Sequence, residues 1–149
     1  LNTQVFRHDA LVLVLPRGHA LAAGPTPLPF AEALDEDWIS LNAGAAMLQK
    51  QQQAALAAGK PLRLRMQVRS FDAVCHLVAS GLGIAVLPAA AALPIVRAMK
   101  LASRPLADDW ARRRLLVATP AGLEDAGVAS LVNFMVEPSQ TAKPRARKR

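Results

Sequence analysis

Short apolar runs along this chain alternate with segments whose apolar residues recur every three or four positions. The clearest pattern is "LRLRMQVR". Leu62, Leu64, Met66 and Val68 fall on one side and Arg63, Arg65, Gln67 and Arg69 on the other, which predicts a strand with one buried face. Three runs lack alternation: "ALVLVLP" (10–16), "WISL" (38–41) and "GIAVLP" (83–88). Such runs predict strands covered on both faces. "LASRPL" predicts a short strand, and "RRRLLVATP" another over 115–118.

Between these runs the period lengthens. "FAEALDED" predicts one or two helical turns. "NAGAAMLQKQQQAALAAGKP" predicts a helix over 44–58, capped by Asn42 and stopped by Gly59, Lys60 and Pro61. Its inward residues are Met47, Leu48, Ala55 and Leu56. In "RSFDAVCHLVASGLGIAVLP", Ser70 is the N-cap and Asp72 suits the helix dipole. Phe71, Val74, Leu77 and Val78 form the inward stripe, and Gly81 ends the helix. "AAAALPIVRAMK" predicts two helical pieces broken before Pro94. The last helix carries Val128, Leu131, Val132 and Met135 at helical spacing. Apolar strands alternating with helices imply an α/β fold with a mostly parallel sheet.

The chain has 149 residues, 52% hydrophobic and 19% charged, enough for one ordinary domain or two small lobes. Only 4% is aromatic and Tyr is absent, which argues against a base-stacking surface. The net charge of +7 owes five charges to the tail "KPRARKR", and the body carries +2. Residues 139–149 are expected to be a disordered basic tail. Such a tail is either a solvated end or a weak contact for nucleic acid or membrane. No apolar run reaches membrane-spanning length. The opening "LNTQVFRHD" reads as the continuation of a longer protein.

Catalytic chemistry finds little support. His8, His19 and His76 lack metal-ligand spacing, so no metal or cofactor is expected. The lone cysteine, Cys75, reads as a buried filler rather than a nucleophile. "GLG" (81–83) follows a helix and precedes a strand, the reverse of a dinucleotide loop. Binding remains. Ligands of open α/β sheets settle beyond the carboxyl ends of strands, near helix starts. "NAGAAM" after "WISL" and "RSFDAV" after "LRLRMQV" are two such starts, each with free N–H groups suited to an anion. Plain helix capping is the competing reading of both. The arginine stripe likewise reads as a charged outer face or as a contact for an anion or partner chain.

Three segments, "FRHDALVLVLPRGHAL", "DEDWISLNAGAAM" and "VRSFDAVCHLVASGLGIAVLP", resemble the effector-binding domain of LysR-type transcriptional regulators. The resemblance implies a type 2 periplasmic-binding-protein-like fold, with one complete lobe and part of a second. Residues 38–119 would form the second lobe, and residues 1–37 with 120–138 part of the first. It implies a small-molecule effector, a small organic acid as one class, held by Asn42, Ala43, Gly44, Ser70, Phe71 and Val12. Ala45 and Ala46 stand where many relatives carry a Ser and a basic residue, which weakens side-chain anchoring of an anion. It also implies a cytoplasmic, non-enzymatic protein that is a homo-oligomer through residues 62–80. DNA would be read by a helix-turn-helix domain absent from this chain. A transporter's solute-binding protein shares the fold and is the alternative.

Overall fold

The apolar run at residues 10–16 belongs to a longer strand, β1 (Asn2–Leu15), in a computed structural model that describes residues 1–42, 45–122 and 124–136. Leu11, Leu13 and Leu15 enter one apolar cluster, while Val12 and Val14 enter a second. Both faces are covered, so the run has no polar alternation. The remaining strands are β2 (Asp37–Leu41), β3 (Arg63–Val68), β4 (Ala85–Pro88), β5 (Ala102–Pro105) and β6 (Arg112–Thr119). The helices are α1 (Ala45–Ala57), α2 (Phe71–Ala79), α3 (Ala89–Ala98) and α4 (Ala126–Val136).

The chain forms two compact units. One is Asp9–Arg113; the other joins Leu1–His8 to Arg114–Arg149. In the first unit β1 lies between β4 and β5, antiparallel to both. β2 and β3 pair in parallel. A parallel bridge between Trp38 and Ile84 joins β2 to the run entering β4. It rests on Ile39 N–H to Ile84 O and Ile84 N–H to Asp37 O, each 2.8 Å. Hence β2, β3, β4 and β5 share one direction and β1 alone runs against them. In the second unit β6 pairs with β1. Val132 of α4 is buried there.

Leu28, Phe30, Ala33 and Leu34 share a buried cluster with Trp38, Ile84 and Val86, so residues 9–37 belong to the larger unit. Phe30 is central to that cluster, 5.1 Å centroid to centroid from both Trp38 and Trp110. Arg104 holds the loop beneath it. The guanidinium is buried, and its Nη1 donates to Leu21 O at 2.9 Å and Ala23 O at 2.8 Å. Nη2 donates to Pro25 O. Backbone carbonyls replace water around this cation.

Several local expectations need correction. A bulge between Trp38 and Ile39 pairs Trp38 with Leu64 but Ile39 with Met66, leaving Arg65 as the extra residue. The alternation of β3 therefore changes face: Leu62 and Leu64 pack with the Trp38 cluster, Val68 with the Ile39 cluster. Leu56 of α1 is 80% exposed, and Gln51 takes the inward position between Met47 and Ala55. α3 is one helix with Pro94 inside it. Pro94 and Ala90 are both exposed, so the carbonyl that loses its helical donor faces water. Leu131 of α4 points outward, 57% exposed. The tail (139–149) lies outside the described residues.

Candidate effector site

Parallel neighbours end at the same edge of a sheet, and this places the candidate site. Leu41 and Val68 are register partners at the carboxyl ends of β2 and β3. Asn42 N–H donates to Val68 O at 2.8 Å, carrying the ladder one residue further. Beyond it the chain turns into α1 from β2, and through Arg69 and Ser70 into α2 from β3. Asn42 and Ser70, 28 positions apart by numbering, thus flank one edge of the larger unit.

The local chemistry follows from capping. Ser70 is extended (φ −135°, ψ 150°), and its Oγ accepts the Ala73 N–H at 3.1 Å. Val74 N–H donates to Ser70 O at 3.1 Å, the first helical bond of α2. The Ser70 hydroxyl proton stays free to donate. Phe71 and Asp72 N–H groups have no intrahelical acceptor. Phe71 is half-buried, packed on the cluster that includes Val74, Cys75 and Val78. Asn42 and Ser70 are exposed, adding an amide and a hydroxyl. The edge therefore offers neutral donors above an apolar wall. Asp72 in the first turn favours the helix dipole and opposes a bound anion at the same terminus; His76 Nε2 lies 3.5 Å from it.

The six residues expected at the site separate. The structure brings Asn42, Ser70 and Phe71 to this edge. Val12 is 6% exposed, paired with Leu87 and Pro105 in the core beneath. Ala43 and Gly44 lie outside the described residues. Cys75 is fully buried, and burial, then the Asp72 charge, pushes its thiol pKa up, which makes it a filler and a poor nucleophile. Among the described residues no group of three His, Cys, Asp or Glu gathers to hold a metal ion. Among them, too, no helix is long and apolar enough to cross a membrane.

A crevice missed from sequence lies at the opposite edge, where β2 and β3 begin. It is about 130 Å³, lined by His19, Glu36, Asp37, Arg63, Arg65 and the "GLG" backbone. Arg63 Nη2 meets Asp37 Oδ1 at 2.7 Å, and Arg65 Nη1 meets Oδ2 at 3.5 Å. Two members of the arginine stripe are thus held by an acid of their own unit. The signal was Asp37 directly before the apolar run, with arginines two apart on the neighbouring strand.

The sequence matches the LysR substrate binding domain family over residues 1–139. The chain belongs to this family. Solved structures agree with that LysR assignment in fold. The regulatory domain of Synechocystis PCC6803 CcmR, in complex with 2-PG, is 24% identical at a TM-score of 0.73. The match covers 91% of this chain and 65% of that one. The BenM effector binding domain with its effector benzoate is 19% identical at 0.73, over 90% of this chain and 61% of that one. The effector binding domain of QuiR in complex with shikimate is 13% identical at 0.71, over 91% and 63%. The chain thus spans somewhat less than two thirds of these LysR relatives. No curated protein matches it.

Proposed function

We propose that this chain is the effector-sensing part of a bacterial LysR-type transcriptional regulator, and that it is not an enzyme. The observation that carries the reading is the convergence of Asn42 and Ser70 on the carboxyl edge of β2 and β3 within a chain of this family. A small molecule, with small organic acids as the leading class, would dock there. Asn42, with Ala43 and Gly44 beside it, supplies amide contacts; Ser70 donates its hydroxyl; Phe71 forms the apolar wall; Val12 supports the floor. The ligands of CcmR, BenM and QuiR support a small-molecule effector, and a regulator's domain over a transporter's solute-binding protein.

The mechanism is population shift. An effector that binds one lobe arrangement better raises its share, and linked DNA-binding domains respond. DNA recognition belongs to a helix-turn-helix domain outside this chain, in a cytoplasmic protein. Residues 1–37 and 120–138 as part of a first lobe, against 38–119 as the second, remain our reading of the lobes. Homo-oligomer contact would run through residues 62–80. The exposed edge of β3 supports this, with Met66 and Arg69 outward and Arg63 and Arg65 held by Asp37.

Thermal melts of the full-length regulator against small acids and aromatics, benzoate, shikimate and 2-PG included, test the reading. A true effector raises the melting temperature by mass action. The double variant S70A/F71A should abolish that rise. Hits whose affinity the double variant leaves unchanged would place the site elsewhere.

A further inference from the structure

The larger unit is a single continuous stretch, so the chain crosses between the two units only twice, at Asp9 on β1 and at Arg113 on β6. These first and last residues, 104 positions apart, form an ion pair in which Arg113 Nη2 donates to Asp9 Oδ2. The Asp9 side chain is 5% exposed and that of Arg113 27%. Arg113 Nε is also buried, with no hydrogen-bond partner among the described residues. Among the described residues Arg113 makes no other ion pair. Its neighbour Arg112 is instead engaged by Asp109 at 3.0 Å on the exposed side.

A nearly buried carboxylate and a largely buried guanidinium hold each other strongly, because removing either strands the other away from water. Among the described residues most ion pairs join exposed side chains and contribute little. This pair is different in both burial and place. We propose that Asp9 and Arg113 form a clasp that fastens β1 to β6 where the first and last residues of the larger unit meet, and so sets the local stiffness of those strands. Its regulatory meaning rests on the effector reading. The clasp itself does not depend on an effector.

Amide hydrogen exchange on the 149-residue chain tests it without a ligand, using D9N, R113Q and D9N/R113Q. Each single variant should speed exchange at Ala10 and Arg114 at least about tenfold, by local opening. Ile39, Leu41 and Val86 should keep wild-type protection. The double variant should exchange no faster than either single one, because both remove the same contact. Where D9N fails to fold, R113Q alone carries the local-against-uniform comparison. Acceleration spread evenly over Ile39, Leu41 and Val86 would show an ordinary stabilising pair and overturn the clasp. So would additive effects, or unchanged rates at the crossing. The effector reading fails on different evidence, the absence of any ligand for the full-length regulator.

Discussion

Gly83 is the residue at which a single methyl group should do most harm. A Cβ built there would stand 2.6 Å from Asp37 O and 3.2 Å from both Asp37 C and Ile39 Cγ1. The carbonyl cannot retreat freely, because it accepts the Ile84 N–H at 2.8 Å. That bond, with Ile39 N–H to Ile84 O, is the bridge joining β2 and β3 to the rest of the sheet. Overpacking against backbone costs about 1–3 kcal/mol. Losing two buried backbone hydrogen bonds adds roughly 0.5–1.5 kcal/mol each. The total for G83A is about 2–6 kcal/mol, or a fall in Tm of roughly 5–20 °C for a chain of this size. G81A is the control: Gly81 has φ +74° but nothing within 4 Å of its Cβ, so only left-handed backbone strain of about 1–2 kcal/mol applies. Circular-dichroism melts and urea titrations of both variants give the comparison. G83A should fall clearly further than G81A. A G83A protein melting with or above G81A would refute the argument that the close approach at "GLG" holds the bridge together.

Other outcomes follow from the same contacts. R104M should cost about 2–4 kcal/mol by stranding the carbonyls of Leu21, Ala23 and Pro25, and should open residues 17–28 to limited proteolysis first. Native Cys75 should resist iodoacetamide and react fully in denaturant, since burial pushes its thiol pKa up; rapid native alkylation would contradict its place in the core. The hydrogen bond and charge of Lys60 hold the Asp35 carboxyl below its ordinary 3.8. A depressed folded value stabilises above the unfolded pKa and is lost as pH falls through the folded one. The urea midpoint of D35N should therefore trail wild type near neutral pH by a small margin that narrows and closes as the pH falls through the lowered folded value.

Much of this arrangement was legible in the sequence because it is local. Runs covered on both faces, such as "ALVLVLP" and "GIAVLP", declare buried strands, and Ser70 declares the cap that Ala73 N–H confirms. The shared edge at Asn42 and Ser70 was legible for a topological reason: parallel strands that each feed a helix put both helix starts at the same end. What escaped was long-range. The bulge at Arg65 depends on how β3 meets Trp38 and Ile39, and no period within "LRLRMQVR" records it. Val12 looks like any other alternating valine, yet the central position of β1 between β4 and β5 buries it. Gln51 belongs to a run that reads as solvated, and its burial is set by tertiary packing rather than by that run. The ion pair of Asp9 with Arg113 joins residues from opposite ends of a unit whose limits the composition does not mark.

Residue-by-residue amide shifts of the labelled full-length regulator, recorded as a hit from the melting panel is titrated in, test the central claim most directly. Saturable shifts should concentrate at Asn42 and at Ser70 through Ala73, with Asp37, Arg63 and Gly83 at the opposite edge unmoved. Shifts gathered at that opposite edge, with Asn42 and Ser70 silent, would contradict it.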